Sequence, residues 1–445
     1  MKYKKSRFNV EVDKLLNGNI LIYNTYTGVF GIMNTATQEV FRDIESFNAS
    51  NSINDEMQKN IRIMLRSGYI VDFDKDELAS LKLERARFRH PENSLNITIA
   101  PTMDCNMRCP YCFENKSDLV MSQETQDKLI DFIRAHFKAY AAIKNLSVVW
   151  YGGEPLMQKE VIYSLSEKLI ELCAEKEIDY FASMITNGAL LDLETAKKLA
   201  QDCKVSSIQV TMDGMKEQHN KRRVLINGED SFETIVSNIE NCKDFLAIRV
   251  RINVDKGNIA DINKLTQFFH EKKGWINNPT AYLAPVEDMS EYCLIGESEC
   301  LSGEEFAKID MEFTRKIYAA DKNSFAHRFY PKRSVVFCAG ESTLKYVIDP
   351  QGYIYNCYIP IGEEKKRTGH IEKPFVVNEE YGKWLLADIP NKCEPCEYLP
   401  ICMGGCGYHR INGDGLPQCF KTYYTYKDTL KLAYEDYVAQ KSIQS

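Results

Sequence analysis

A chain of 445 residues with a formal charge of -7 and fifteen cysteines exceeds the size of one domain and carries no cationic excess to favour a nucleic-acid partner. It holds no uncharged apolar run of about 18 residues, so no membrane span is expected, and MKYKKSRFNVEV at its start lacks the apolar core of a secretory signal. The expectation is a cytoplasmic protein, where reduced, clustered cysteines point to metal or redox chemistry rather than disulfides.

In chain order, Phe8 to Val12, Asn19 to Asn24 and Gly28 to Met33 read as short strands separated by Asn-Gly and Thr-Gly turns. Helical patterns at Thr35 to Ile44 and Asp55 to Leu65 follow, then Gly68-Tyr69-Ile70-Val71. This winged-helix outline sets a first unit at 1–75, and the charged stretch up to Pro91 supplies a helical linker at 76–94. Over 95–290 the runs NITIA, SVVWY, YFASMIT, SSIQVTM, IRVRINV and TAYLA alternate with helical segments. Such alternation predicts an α/β fold with a parallel sheet, closing as a partial (β/α)6 TIM-like barrel. Ser122 is placed to cap a helix whose Leu129, Phe132, Ile133 and Phe137 share one face. A polar, mostly helical bridge is expected at 291–335, a cysteine-rich domain at 336–430 and a tail at 431–445.

Strand ends at Gly152-Gly153-Glu154, Thr186-Asn187-Gly188, Asp213-Gly214 and Asn253 are polar or glycine-rich, and in parallel α/β folds such ends build the ligand site. Cys105-x-x-x-Cys109-x-x-Cys112 comes just after the strand Asn96 to Ala100. Three thiolates on one loop can hold three corners of a 4Fe-4S cube and leave the fourth iron open. Cys338, Cys357, Cys393-x-x-Cys396, Cys402-x-x-x-Cys406 and Cys419 form a second constellation, in which the central four would also suit zinc. Cys173 and Cys242 continue apolar helix faces and Cys203 follows a helix, so these three read as small buried hydrophobes.

The loop from Cys105 to Cys112, with Tyr111 before its last cysteine, and Gly152-Gly153-Glu154-Pro155 resemble the radical S-adenosylmethionine (SAM) superfamily. That resemblance implies a 4Fe-4S cluster on Cys105, Cys109 and Cys112 whose open iron binds SAM and whose electron splits it into methionine and a 5'-deoxyadenosyl radical. It places Gly152, Gly153, Glu154 and Pro155 at the methionyl ammonium, Thr186, Asn187, Asp213 and Asn253 at other SAM contacts, and Arg222 or Arg223 at the carboxylate. The seven later cysteines resemble the SPASM extension, which holds two auxiliary iron-sulfur clusters. Its interleaved pattern assigns Cys393, Cys396, Cys402 and Cys419 to an outer cluster and Cys338, Cys357 and Cys406 to an inner one. Either Cys293 or Cys300 completes the inner set, or one iron stays open.

The first unit resembles the recognition element of maturases of ribosomally made peptides, which binds a leader along an exposed strand. Together these resemblances imply a precursor-peptide maturase that installs a thioether or C–C crosslink and is fed by a flavodoxin- or ferredoxin-type donor. The alternatives are an anaerobic sulfatase-maturating enzyme and a non-catalytic electron-transfer module. Against the former, the Asp that follows the second SPASM cysteine in sulfatase maturases is Tyr358 here.

Overall fold

The computed structural model describes residues 2–47, 54–320, 330–413 and 419–444; stretches of the expected first unit, bridge and cysteine-rich domain, and the final residue of the tail, lie outside them. The chain folds as two compact units, one of Met1–Arg89, Asp310–Ala339 and Ala387–Ser445, the other of His90–Ile309 and Gly340–Leu386. The cysteine-rich stretch is therefore shared between them.

In the first unit, β1 (Tyr3–Lys5) pairs antiparallel with β5 (Ile70–Asp72), while β2 (Asn9–Lys14), β3 (Ile20–Asn24) and β4 (Phe30–Met33) form an antiparallel sheet in that order. The run ILIYN of β3 is buried throughout because both faces are covered. Ile20 and Ile22 pack on Val40, Ile61, Met64 and Tyr69, whereas Leu21 and Tyr23 pack on Tyr398, Tyr426 and Leu430. Helices Thr35–Arg42 and Asp55–Ser67 start at Asn34 and Asn54, whose side chains accept from Thr37 N and Met57 N. The second of them ends at Gly68, whose φ of 76° suits a residue without a Cβ.

The second unit is α/β. Strands β6 (Ser94–Ile99), β7 (Asn145–Trp150), β8 (Asp179–Thr186), β9 (Val205–Thr211), β10 (Ala247–Val254) and β11 (Thr280–Pro285) run parallel in sequence order. Helices such as Gln123–Ala139 and Lys159–Glu175 make the crossovers, and Ser122 caps the former by accepting from Thr125 N. Beyond β6 the sheet continues with β12 (Lys345–Ile348), parallel to it, then antiparallel β13 (Tyr353–Tyr355) and β14 (Gly369–His370). Strand β7 alternates between partly exposed and buried residues. Its Leu146, Val148 and Trp150 are buried, while Ser147 and Val149 lie on the more open face. Among the described residues no helix is long and apolar enough to cross a membrane.

Candidate functional site

The C-terminal ends of the parallel strands open onto a cavity of 310 Å³ within the second unit. Cys105, Cys109 and Cys112 border it, together with Gly152, Gly153, Thr186, Asn187 and Asn253. The cysteine loop is held by backbone pairing of Thr102 with Val120 and of Met107 with Leu225. Burial pushes the Cys105 thiol up to about 12, with Glu154 adding to it, and the Cys112 thiol up to about 11, with Glu114 adding to it. Cys105 and Cys112 both lie close enough to Cys109 to be electrostatically coupled to it. Any cation bound here would offset that burial cost and draw the thiols towards thiolate.

The two glycines are required by the protein itself. A Cβ on Gly152, which sits at φ 119°, would strike the Thr102 carbonyl, and one on Gly153 would strike the Asp104 and Met103 backbone. The segment is laced to the cysteine loop by Gly153 N to Thr102 O at 3.2 Å and Glu154 N to Asp104 O at 2.8 Å. Glu154 is fully buried and behind the cavity wall. Its Oε1 accepts from Leu156 N at 3.0 Å and Thr186 Oγ1 at 2.7 Å, and its Oε2 from Asn187 N at 2.7 Å. Burial outweighs those donors and leaves its carboxyl above the usual carboxylate range. Glu154 thus fixes the end of β8 against the start of the short 3-10 helix Pro155–Gln158, and its Oε2 retains capacity for one more donor.

Asp213 and Arg222, expected at the cofactor, also lie off the cavity wall. Arg222 is committed to buried Asp255, with Nη1 to Oδ1 at 3.0 Å and Nη2 to Oδ2 at 2.7 Å. Its neighbour Arg223 does line the cavity and donates to the Tyr111 hydroxyl at 2.6 Å. That hydroxyl in turn donates to Asp213, whose Oδ1 accepts from Asn253 N at 3.2 Å. Tyr111 thereby ties the cysteine loop to the ends of β9 and β10. Among the described residues the buried Arg223 Nε has no hydrogen-bond acceptor, which suits an anionic ligand group. Pro155 is buried and serves the helix start rather than the wall.

Sequence reasoning missed Gln209, Thr211 and Arg251 on the cavity wall, although the two-residue spacing of Gln209 and Thr211 before Asp213, and of Arg251 before Asn253, was the available signal. Arg251 Nε donates to Asn253 Oδ1 at 2.7 Å, and Tyr282 OH to Gln209 Oε1 at 2.5 Å. Glu114, Lys116, Tyr151, Glu287 and Tyr358 complete the polar lining.

In the first unit, Cys393 lies close enough to Cys396 and Cys419, Cys396 to Cys419, and Cys402 to Cys393 and Cys419 for a thiolate at one to raise the next. These are the four expected at an outer cluster. Cys338 and Cys406 belong to the first unit and Cys357 to the second. Among the described residues no three His, Cys, Asp or Glu are arranged around a single metal ion. Cys300 has Cys293, Asp288 and Asp255 as its charged neighbours. Cys173, Cys203 and Cys242 are buried, as their helix positions imply.

The three-cysteine loop and the glycine pair, at the mouth of the parallel sheet, lie within residues 99–265, which match the profile of the Radical SAM superfamily. The chain carries a radical SAM domain and is an enzyme; that domain uses SAM and a 4Fe-4S cluster. It is 25% identical over 374 residues to the cysteine-type anaerobic sulfatase-maturating enzyme of Clostridium novyi, covering 77% of this chain and 97% of that one. It is 28% identical over 206 residues to the Fe-coproporphyrin III synthase of Methanosarcina barkeri, covering 45% and 46%. The fold is shared with native anSMEcpe bound to AdoMet and the Cp18Cys peptide, at TM-score 0.61 and 22% identity over 77% of this chain and 99% of that one. It is also shared with Streptococcus suis SuiB bound to precursor peptide SuiA, at TM-score 0.53 and 17% identity over 94% and 98%.

Proposed function

We propose that this enzyme matures a ribosomally made precursor peptide, taking a hydrogen from a core residue and closing a thioether or C–C crosslink. Cys105, Cys109 and Cys112 would hold the SAM-binding cluster, which supplies the electron that splits SAM. Arg223, Thr186, Asn187 and Asn253 would orient SAM, and the aromatic and glycine wall would exclude water. Cys393, Cys396, Cys402 and Cys419 would hold an outer auxiliary cluster, and Cys338, Cys357 and Cys406 an inner one. A flavodoxin- or ferredoxin-type carrier would supply electrons, and β4, which ends its sheet, offers a strand edge for a leader.

The observation that carries the crosslinking reading is Tyr358. Where the sulfatase maturases that this sequence resembles place an Asp to accept a proton, this cavity has a phenol, its ring 5.2 Å from that of Tyr151. The match to SuiB over 94% of the chain, against 77% for anSMEcpe, adds support for a recognition unit beyond the shared enzyme body.

One observation favours formylglycine formation instead. Glu114 lines the cavity and, although its side chain keeps some exposure, burial pushes its carboxyl up to about 7, where it could take a proton. Product mass separates the two. Anaerobic incubation of the reconstituted enzyme with SAM, reductant and cysteine-containing precursor peptides is expected to remove a hydrogen pair with sulfur retained. Exchange of sulfur for oxygen at a cysteine would establish the sulfatase-maturase reading.

A further inference from the structure

Arg251 lines the cavity with both of its Nη groups unspent. Register sets it beside Thr211 of β9 and Tyr282 of β11, with Arg249 and Asn253 next along the same face of β10. None of these neighbours is acidic. Arg251 Nε donates to Asn253 Oδ1 at 2.7 Å, which fixes the guanidinium, and among the described residues neither Nη group has an acceptor. The carboxylates that line the cavity do not serve it. Glu114 is hydrogen-bonded to Tyr151 with Lys116 beside it, and Glu287 forms no ion pair with Arg251.

The neighbouring arginines are committed differently. Arg222 meets Asp255 through both Nη1 and Nη2. Arg223 is tied to Tyr111 at the cysteine loop, and its open Nε suits one anionic group. SAM carries a single carboxylate, so a second, half-buried guanidinium with open donors calls for a second anion. Its planar fork of N–H groups matches a carboxylate in particular. The adjoining wall offers the same chemistry. Tyr282 OH donates to Gln209 Oε1 at 2.5 Å, which spends that acceptor and leaves the Gln209 amide nitrogen as a further donor lining the cavity.

We propose that Arg251, with the amide nitrogen of Gln209, receives a carboxylate of the peptide substrate. The enzyme thereby selects a core in which an acidic side chain or the C-terminal carboxylate lies near the residue that loses hydrogen. This rests on the reading of a peptide substrate, but not on which crosslink closes. An uncharged carbonyl could take the Gln209 amide, whereas only an anion compensates the guanidinium charge, so the contact discriminates Asp from Asn.

The test is a one-pot competition. The reconstituted full-length enzyme receives SAM, dithionite and a mixture of synthetic peptides built on one cysteine-containing core. Each position near the cysteine carries Asp, Asn, Ala or Lys, and every peptide is present as C-terminal acid and as amide. Depletion followed by mass spectrometry reads relative kcat/KM. Wild type is expected to use Asp over Asn by about tenfold at one position if a side chain is the source, or acid over amide by the same factor if the terminus is. R251Q should narrow that ratio to about threefold or less, and R251E should favour Lys. SAM affinity of R251Q by equilibrium dialysis separates a cofactor role, since lost affinity with the acid preference intact would overturn the proposal. Equal use of acidic and neutral peptides by wild type would also overturn it. If no peptide is altered, the maturation reading falls and this inference with it, whereas modification blind to acid removes the inference alone.

Discussion

Glu154→Gln separates a carboxylate that braces the site from one that only binds ligand. Both oxygens of Glu154 are occupied by three donors from the chain, two of them backbone N–H groups. A glutamine keeps the shape but offers a single acceptor atom. With its carbonyl at the Oε1 position it serves Leu156 N and Thr186 Oγ1 and turns its amide against Asn187 N; reversed, it turns the amide against Leu156 N. Either way one fully buried N–H loses its acceptor, at a cost of about 1–3 kcal/mol. Removing a buried negative charge whose carboxyl sits above its usual range returns part of this, but cannot repair two donors facing one another. Urea unfolding of the iron-free protein, followed by circular dichroism, is expected to show E154Q destabilised by about 1–2 kcal/mol before SAM is added. Stability equal to or above wild type, together with lost SAM affinity, would refute the bracing role and return Glu154 to a pure cofactor contact.

Gly153→Ala, forced against the Asp104 and Met103 backbone, is expected to cost about 1–3 kcal/mol and to lower iron at the Cys105 loop, whereas Gly382→Ala, with open space around it, should leave iron content unchanged. Arg222→Gln strands buried Asp255 and should cost about 3–5 kcal/mol, while Arg223→Gln should weaken SAM binding at least tenfold in equilibrium dialysis with the smaller stability loss. Burial, then the charges of Arg223 and Arg222, holds His219 well below its usual range, so the unfolded chain takes up a proton first as pH falls below about 6.5. Stability contributed by neutral His219 is therefore present above that pH and falls by about 2 kcal/mol by pH 5; urea midpoints of wild type and His219→Gln should converge as the pH is lowered.

The strand-helix alternation and the Ser122 cap were legible because periodicity and capping are local properties. The cysteine loop was legible because its spacing is chemical. Strand β12 was not, since Lys345–Ile348 pairs with Ser94–Ile99 across about 250 residues and no local turn announces it. Arg222 and Arg223 are adjacent in sequence, yet only the fold decides that one meets Asp255 and the other the cavity. The glycine pair signalled a tight approach, but not that the approaching atoms belong to Thr102, Met103 and Asp104. Glu154, Asp213 and Arg222 carry hydrogen bonds or ion pairs to the chain's own groups, which motif reading does not reveal because it finds residues without telling which way their polar atoms are spent.

The central claim is radical SAM chemistry at the cavity bordered by Cys105, Cys109 and Cys112, and its most direct test is 5'-deoxyadenosine formation. The anaerobically reconstituted wild type, given SAM and dithionite, should produce it, and a variant with all three cysteines changed to Ala should not. Wild type with its 4Fe-4S cluster intact that yields no 5'-deoxyadenosine, or a triple variant that yields as much as wild type, would contradict the account.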